Sequence, residues 1–241
     1  VASPVAARPV AAVDGHGEGP LVDLGTPMES VDVGQSAAGT DLDGDPLLYA
    51  TSSGHPPTFN VIEARTGEVR FQQAMEGDEF LGGPIVATPD GVTYFNLRSG
   101  SRTIVYRYSV ADNTVSEVTR GCGSGCPIDK AILRGLVVGD DGTLYLAAYP
   151  DSRVFGVDPE TGDVRDYGTM DSQAAYTWGI TIDGDQLFVG TGNGPGLGRV
   201  YQVDVETGAK KQIPLPPGSQ ETTVIGDLQV VDGVLLVPMN K

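Results

Sequence analysis

Basic residues are scarce in this chain of 241 residues: 15 Lys and Arg stand against 32 Asp and Glu, a formal net charge of −17. Neutralising a phosphate backbone takes a basic surface, so nucleic acid is excluded as a partner. No apolar run approaches the ~20 residues of a membrane-spanning helix. Nor does any dozen residues carry apolar positions at the three- and four-residue spacing of an amphipathic helix. The only cysteines are Cys122 and Cys126, the only histidines His16 and His55, and the only tryptophan Trp178. So small a supply of soft ligands argues against a Cys/His metal site and for a short disulfide loop in an exported protein, with a metal or redox pair as the other reading. A Gly-x-Ser-x-Gly elbow, a phosphate loop and a His-Glu-x-x-His pair are all missing, which removes the enzyme classes they serve. Gly192-Asn193-Gly194-Pro195-Gly196 is rich in glycine, but it joins two strands and opens no helix, so it does not cradle phosphate.

What the chain does have is turns, with 34 Gly and 17 Pro. An Asp-Gly turn followed by an apolar strand recurs at Asp43-Gly44, Asp90-Gly91, Asp141-Gly142, Asp183-Gly184 and Asp232-Gly233. The interval, about 45 residues, is the length of a propeller blade. Later in each copy a second hairpin turn appears, at Arg65-Thr66-Gly67, Asp112-Asn113, Glu160-Thr161-Gly162 and Glu206-Thr207-Gly208. Gly or Asn recurs there because a tight hairpin needs a positive φ. The expected fold is all-β: a β-propeller of four-stranded antiparallel blades, about four and a half of them, with the ring of about six to eight blades completed by sequence outside this chain. Blade 1 is expected to place its strands at about 37–43, 46–52, 58–63 and 68–74. Blade 2 runs from Pro84 to the Val118 region, blade 3 from Ala131 to Tyr167, and blade 4 from Trp178 to Pro214. Residues 1–20 read as a flexible lead-in left after a signal peptide. Leu21-Val22-Asp23-Leu24-Gly25-Thr26 matches the end of a blade and is the candidate closing strand.

The segments Asp158-Pro159-Glu160-Thr161-Gly162-Asp163-Val164 and Val205-Glu206-Thr207-Gly208, with the Asp166-Tyr167-Gly168 that follows the first, resemble the repeats of exported bacterial propellers of the quinoprotein-like group. Actinobacterial secreted carbohydrate-active propellers of the polysaccharide lyase type share this style. The resemblance implies a secreted, extracellular protein with a polysaccharide or glycan as partner. Quinoprotein dehydrogenases carry Trp at the end of nearly every repeat, whereas this chain has Phe71, Asp166-Tyr167 and Gln212 there, which removes bound pyrroloquinoline quinone.

In a propeller the loops from second to third strand, and from fourth strand to the next blade, open on one face around the axis, where ligands sit. Six arginines fall on that face in this acidic protein: Arg98, Arg102, Arg120, Arg134, Arg153 and Arg199. Arginine forks suit the carboxylate or sulfate of an anionic sugar, and Tyr149, Tyr176 and Trp178 offer rings for stacking. The expected substrate-binding set is Arg98, Arg102, Arg134, Arg153, Tyr176, Trp178 and Arg199. His55 and Tyr149 are the candidates for proton transfer if the chain is a lyase acting by β-elimination on a uronate. The alternative is a non-catalytic recognition or scaffold propeller. Several assignments have a structural counterpart. Arg102, Arg153 and Arg199 share one place in the repeat, as scaffold residues pairing with acids of a neighbouring blade also would. Trp178 also suits packing between blades, and His55, between Gly54 and Pro56, an exposed loop. Glu76, Asp78 and Glu79 stand too close in sequence to converge on one ion. Asp41, Asp43 and Asp45 alternate as in a calcium loop, but Gly44 precedes the third acid and Pro46 follows it, so an ordinary turn is expected. No cofactor is expected beyond a single Ca²⁺ at that turn.

Overall fold

The computed structural model describes residues 32–54, 56–75, 83–100, 102–122 and 125–240. Four sheets of four antiparallel strands follow one another. The first holds β1 (Asp32–Thr40), β2 (Pro46–Ser53), β3 (Thr58–Glu63) and β4 (Val69–Ala74). The second holds β5 (Ile85–Ala87), β6 (Val92–Ser99), β7 (Arg102–Ser109) and β8 (Thr114–Glu117). In the third are β9 (Ile132–Val138), β10 (Leu144–Tyr149), β11 (Arg153–Val157) and β12 (Val164–Thr169). In the fourth are β13 (Thr177–Asp183), β14 (Gln186–Thr191), β15 (Arg199–Asp204) and β16 (Lys210–Ile213). A fifth repeat follows as two short pairs, β17 (Val224–Ile225) with β20 (Met239–Asn240), and β18 (Gln229–Val231) with β19 (Val234–Leu236).

This is the β-propeller architecture, present as consecutive blades that do not close a ring. The innermost strands pack in chain order: β1 on β5, β5 on β9, β9 on β13, and β13 on β17 and β18. No comparable packing joins the fifth repeat to the first sheet among the described residues. The candidate closing strand at 21–26 and the lead-in at 1–20 lie outside the described residues.

Each gap between neighbouring blades has its own apolar core, as a repeat fold requires. Between blades 1 and 2, Phe59 and Phe95 stack at 4.2 Å and are fully buried, with Tyr49, Tyr106 and Tyr108 around them. Val105, Ile128, Leu133, Leu146 and Phe155 fill the next gap, and Val154, Tyr167, Leu187, Val189 and Val203 the one after. Side chains on both faces of a central strand are thereby buried, which is why β10 reads as a continuous apolar run instead of alternating, and why β6 is buried from Val92 to Leu97 although Thr93 and Asn96 are polar. Burial also pushes the phenol of Tyr108, and likewise that of Tyr145, up to about 12.

The first strand of blade 1 differs from the sequence expectation at both ends, and it begins at Asp32, five residues before the expected 37. The first strand of blade 1 ends at Thr40, not at residue 43, because Asp41 is used to close the turn. Its Oδ1 accepts from the backbone N–H of Asp43 (3.0 Å) and of Asp45 (2.8 Å), and Arg70 donates to Oδ2 at 2.6 Å. The triad of acids is thus a turn held by backbone donors. Among the described residues, no three His, Cys, Asp or Glu side chains converge as metal ligands would.

The same device recurs lower in the repeat. Asp158 accepts from the N–H groups of Glu160 and Thr161, and Asp204 from the N–H and hydroxyl of Thr207. Backbone donors, first in each case, hold the carboxyls of Asp41, Asp158 and Asp204 below their ordinary value. A depressed folded-state pKa contributes stability that is present above the unfolded value and is lost as pH falls through the folded one. The thermal midpoint is therefore expected to drop as pH falls below about 4. Relief of self-repulsion in so acidic a protein acts in the opposite direction, so a variant separates the two. Asp158→Asn should make the acid-side decline shallower in a melting series, and an unchanged slope would count against the capping role.

Candidate functional site

The second strand of blade 3 ends, and the first strands of blades 3 and 4 begin, on one edge of the fan. Four side chains meet there. The phenol of Tyr149, at the end of β10, stacks on Tyr176 with centroids 4.2 Å apart, and Tyr176 stacks on Trp178 at 4.6 Å. Two rings cannot both lie at that distance against one face of a third, so Tyr176 stands between Tyr149 and Trp178. The guanidinium carbon of Arg134 lies 5.8 Å from the Tyr176 centroid and 5.5 Å from that of Trp178, within cation–π range.

Two β-bulges bring this about. In blade 3, Leu133 pairs with Ala148 and Gly135 with Ala147, which leaves Arg134 as the extra residue. In blade 4, Thr177 pairs with Thr191 and Gly179 with Gly190, which leaves Trp178 extra. A bulge bends the strand and re-aims the unpaired side chain. The two bulged residues are those that meet across the blade boundary. Each precedes a glycine where a neighbour comes close: a Cβ on Gly135 would stand 2.8 Å from Ile180 Cγ2, and one on Gly179 3.0 Å from the Asp227 backbone nitrogen.

Hydrogen bonds fix the cluster from behind. The Trp178 indole N–H donates to the Gly192 carbonyl at 2.6 Å, and the Gly192 N–H donates to the Tyr176 carbonyl at 3.2 Å. The buried Thr177 hydroxyl donates to the Ala148 carbonyl at 2.8 Å, tying blade 4 to blade 3. Arg199 donates to both oxygens of buried Asp171 at 3.0 and 2.8 Å, and to Gln173 Oε1 at 2.7 Å. The connection that carries Tyr176 is thereby anchored to β15.

Arg134 differs from the other arginines of this edge. Its Nε is buried without a hydrogen-bond partner, and among the described residues no carboxylate lies within ion-pair distance. Arg102 pairs with Glu117 at 2.9 Å and Arg153 with Asp166 at 2.6 Å. In both pairs the arginine opens the third strand of a blade and the acid lies on the fourth strand of the same blade. The expected scaffold pairing thus exists for these two within a blade, and not between blades. Arg199 pairs instead with the connection from the preceding blade. Arg98 turns back on its own hairpin, donating through Nε to the Gly100 carbonyl at 3.1 Å. Of the expected site residues, the structure therefore gathers Tyr149, Arg134, Tyr176 and Trp178. Arg102, Arg153 and Arg199 are committed to ion pairs. His55, Glu76, Asp78 and Glu79 lie outside the described residues, as does the side chain of Arg120.

Two cavities flank the loop that follows Tyr149. One, of about 430 Å³, lies between Pro150, Asp151, Asp171, Gln173 and Asn193. The other, of about 300 Å³, lies between Pro127, Asp129, Lys130, Tyr149 and Asp151. The segment that supplies Pro127 to Lys130 follows the Cys122–Cys126 disulfide directly. Sequence reasoning found the four clustered residues but not the bulges that aim two of them. The available signal was the shared place of Arg134-Gly135 and Trp178-Gly179 at the start of consecutive blades.

Comparison with family models and with curated proteins returned no match. Solved structures do match. The virginiamycin B lyase from Staphylococcus aureus is 14% identical, with a TM-score of 0.59 over 86% of this chain and 67% of that one. A catalytically inactive histidine-to-alanine variant of it with quinupristin is 15% identical, with a TM-score of 0.63 over 87% and 64%. The extracellular domain of a one-component system from B. thetaiotaomicron is 16% identical, with a TM-score of 0.56 over 83% of this chain and 24% of that one. This chain thus spans about two thirds of the lyase and about a quarter of the larger protein. Likeness at these identities establishes the propeller fold.

Proposed function

We propose that this protein is an exported propeller that binds an anionic glycan on the loop edge of blades 3 and 4. The observation that carries the reading is Arg134, a cation without a carboxylate partner among the described residues, held over two aromatic rings in a protein of net charge −17. A half-buried guanidinium that makes no ion pair among the described residues keeps its terminal N–H groups for an incoming carboxylate or sulfate, and the ring ladder offers an apolar flank to a sugar. The Cys122–Cys126 disulfide supports an extracellular location, since such bonds persist in oxidising compartments. Tyr176 covers one face of the Tyr149 ring, so that ring forms part of the apolar flank.

The test is a titration with polygalacturonate and with dextran, a neutral polymer, at low and high salt. Polygalacturonate should bind selectively and lose affinity as salt rises. Equal binding of dextran, or no binding of either, removes the reading. Ultraviolet absorbance of an unsaturated uronate in the same samples would replace the binding module with a lyase.

A further inference from the structure

The cavity of about 300 Å³ beside Tyr149 has a lining unlike that of an anion site. It lies at the small end of the range for ligand pockets, about 300–1,000 Å³. Tyr149, one face of whose ring is covered by Tyr176, contributes to its wall together with Pro127 and Pro150. Two carboxylates, Asp129 and Asp151, share the lining with Lys130 and Arg153. Arg153 is already bound to Asp166. The net balance of uncommitted charge is therefore negative: two acids against one ammonium.

The wall on the blade 2 side is held firmly. Asp129 N–H donates to the Cys126 carbonyl at 2.9 Å and Ala131 N–H to the Ile128 carbonyl at 3.0 Å, while Cys126 and Ile128 are buried in the core between blades 2 and 3. Lys130, at φ 70°, takes the left-handed conformation between these two bonds. An aromatic wall with carboxylates that accept and an ammonium that donates matches a ring bearing several hydroxyls, each of them both donor and acceptor. It does not match a second carboxylate, which would face Asp129 and Asp151 as like charges.

We infer that this cavity is a second subsite, which takes an uncharged sugar linked directly to the acidic sugar held at Arg134. The inference rests on the anionic-glycan reading above and narrows it. The ligand is a heteroglycan in which a uronate neighbours a neutral sugar, and a polymer of uronates alone is the poorer fit.

Calorimetric titration with three probes tests this: glucuronate, an aldobiuronic acid (glucuronate linked to one neutral sugar) and digalacturonate. The aldobiuronic acid should bind about tenfold more tightly than glucuronate, the digalacturonate no more tightly than glucuronate. In Asp129→Asn/Asp151→Asn, digalacturonate should gain several-fold more than glucuronate does. Among the described residues neither side chain forms a hydrogen bond or ion pair, so the variant should melt with the parent. Equal gains for both disaccharides, or no gain for either, would overturn the subsite and leave the Arg134 site standing. Failure of all three probes would remove the site and the subsite together.

Discussion

Arg134→Met should weaken binding of a uronate ligand by about 10- to 100-fold and leave the melting temperature close to that of the parent. The first half follows from the strength of hydrogen bonds to a charged group, about 1.5–3 kcal/mol, when the cation is removed from an otherwise intact site. The second follows from what Arg134 does not do. It forms no ion pair among the described residues, and its Nε is buried and unsatisfied, so removing it orphans no partner and relieves one unpaired donor. Methionine keeps much of the stem and a favourable contact with the Tyr176 and Trp178 rings. Arg134→Lys should fall between, because the ammonium retains the charge and loses the planar fork. Arg102→Met is the control, since that guanidinium already serves Glu117 on the same blade, lines neither cavity beside Tyr149 and should cost little affinity. Calorimetry on the four proteins decides the matter. If Arg134→Met binds as the parent does, the aromatic and cationic cluster is a packing feature and the proposed function is lost.

The blade order could be read from residues because its causes are local. Asp-Gly turns, Thr-Gly turns and the apolar runs between them placed β10 and β14 directly after Gly142 and Gly184, within two residues of where they lie. The candidate site was legible in part. Tyr149, Tyr176, Trp178 and Arg134 all follow from asking which loops face the ligand edge. Which arginines are committed was legible in part, since Arg102, Arg153 and Arg199 share one place in the repeat and all three are paired, but their partners depend on register. Arg102 and Arg153 meet acids on the adjacent strand of their own blade, 15 and 13 residues away, through pairing that no local turn signal encodes. The bulges at Arg134 and Trp178 are likewise set by how strands pair across a blade, and one extra residue there reverses the direction of a side chain.

Gly192 links the stability of the fourth blade to the site, and Gly192→Ala should damage both. At φ 148° the residue occupies a region essentially confined to glycine, where any side chain costs about 1–3 kcal/mol. A Cβ would also stand 2.2 Å from the Thr223 carbonyl oxygen and 2.8 Å from Val224 Cα. These are backbone atoms, so no rotamer change relieves the clash; overpacking of that kind costs about 1–3 kcal/mol more. The sum, about 2–6 kcal/mol, corresponds to a fall in melting temperature of roughly 5–20 °C for a chain of this size. Relief requires the start of the fifth repeat to move away from β14, which shifts the Gly192 carbonyl from the Trp178 indole N–H. Trp178 then loses its anchor, and uronate affinity should fall several-fold although no group that touches the ligand has changed. Gly44→Ala separates this from ordinary turn strain. Its φ is also positive, at 85°, but nothing lies within 4 Å of the added Cβ, so about 1–2 kcal/mol of stability should be lost and no affinity. Two alanine variants that melt alike and bind alike would show that residues 223 and 224 do not press on Gly192. The route from the fifth repeat through Trp178 to Arg134 would then be broken at its first step.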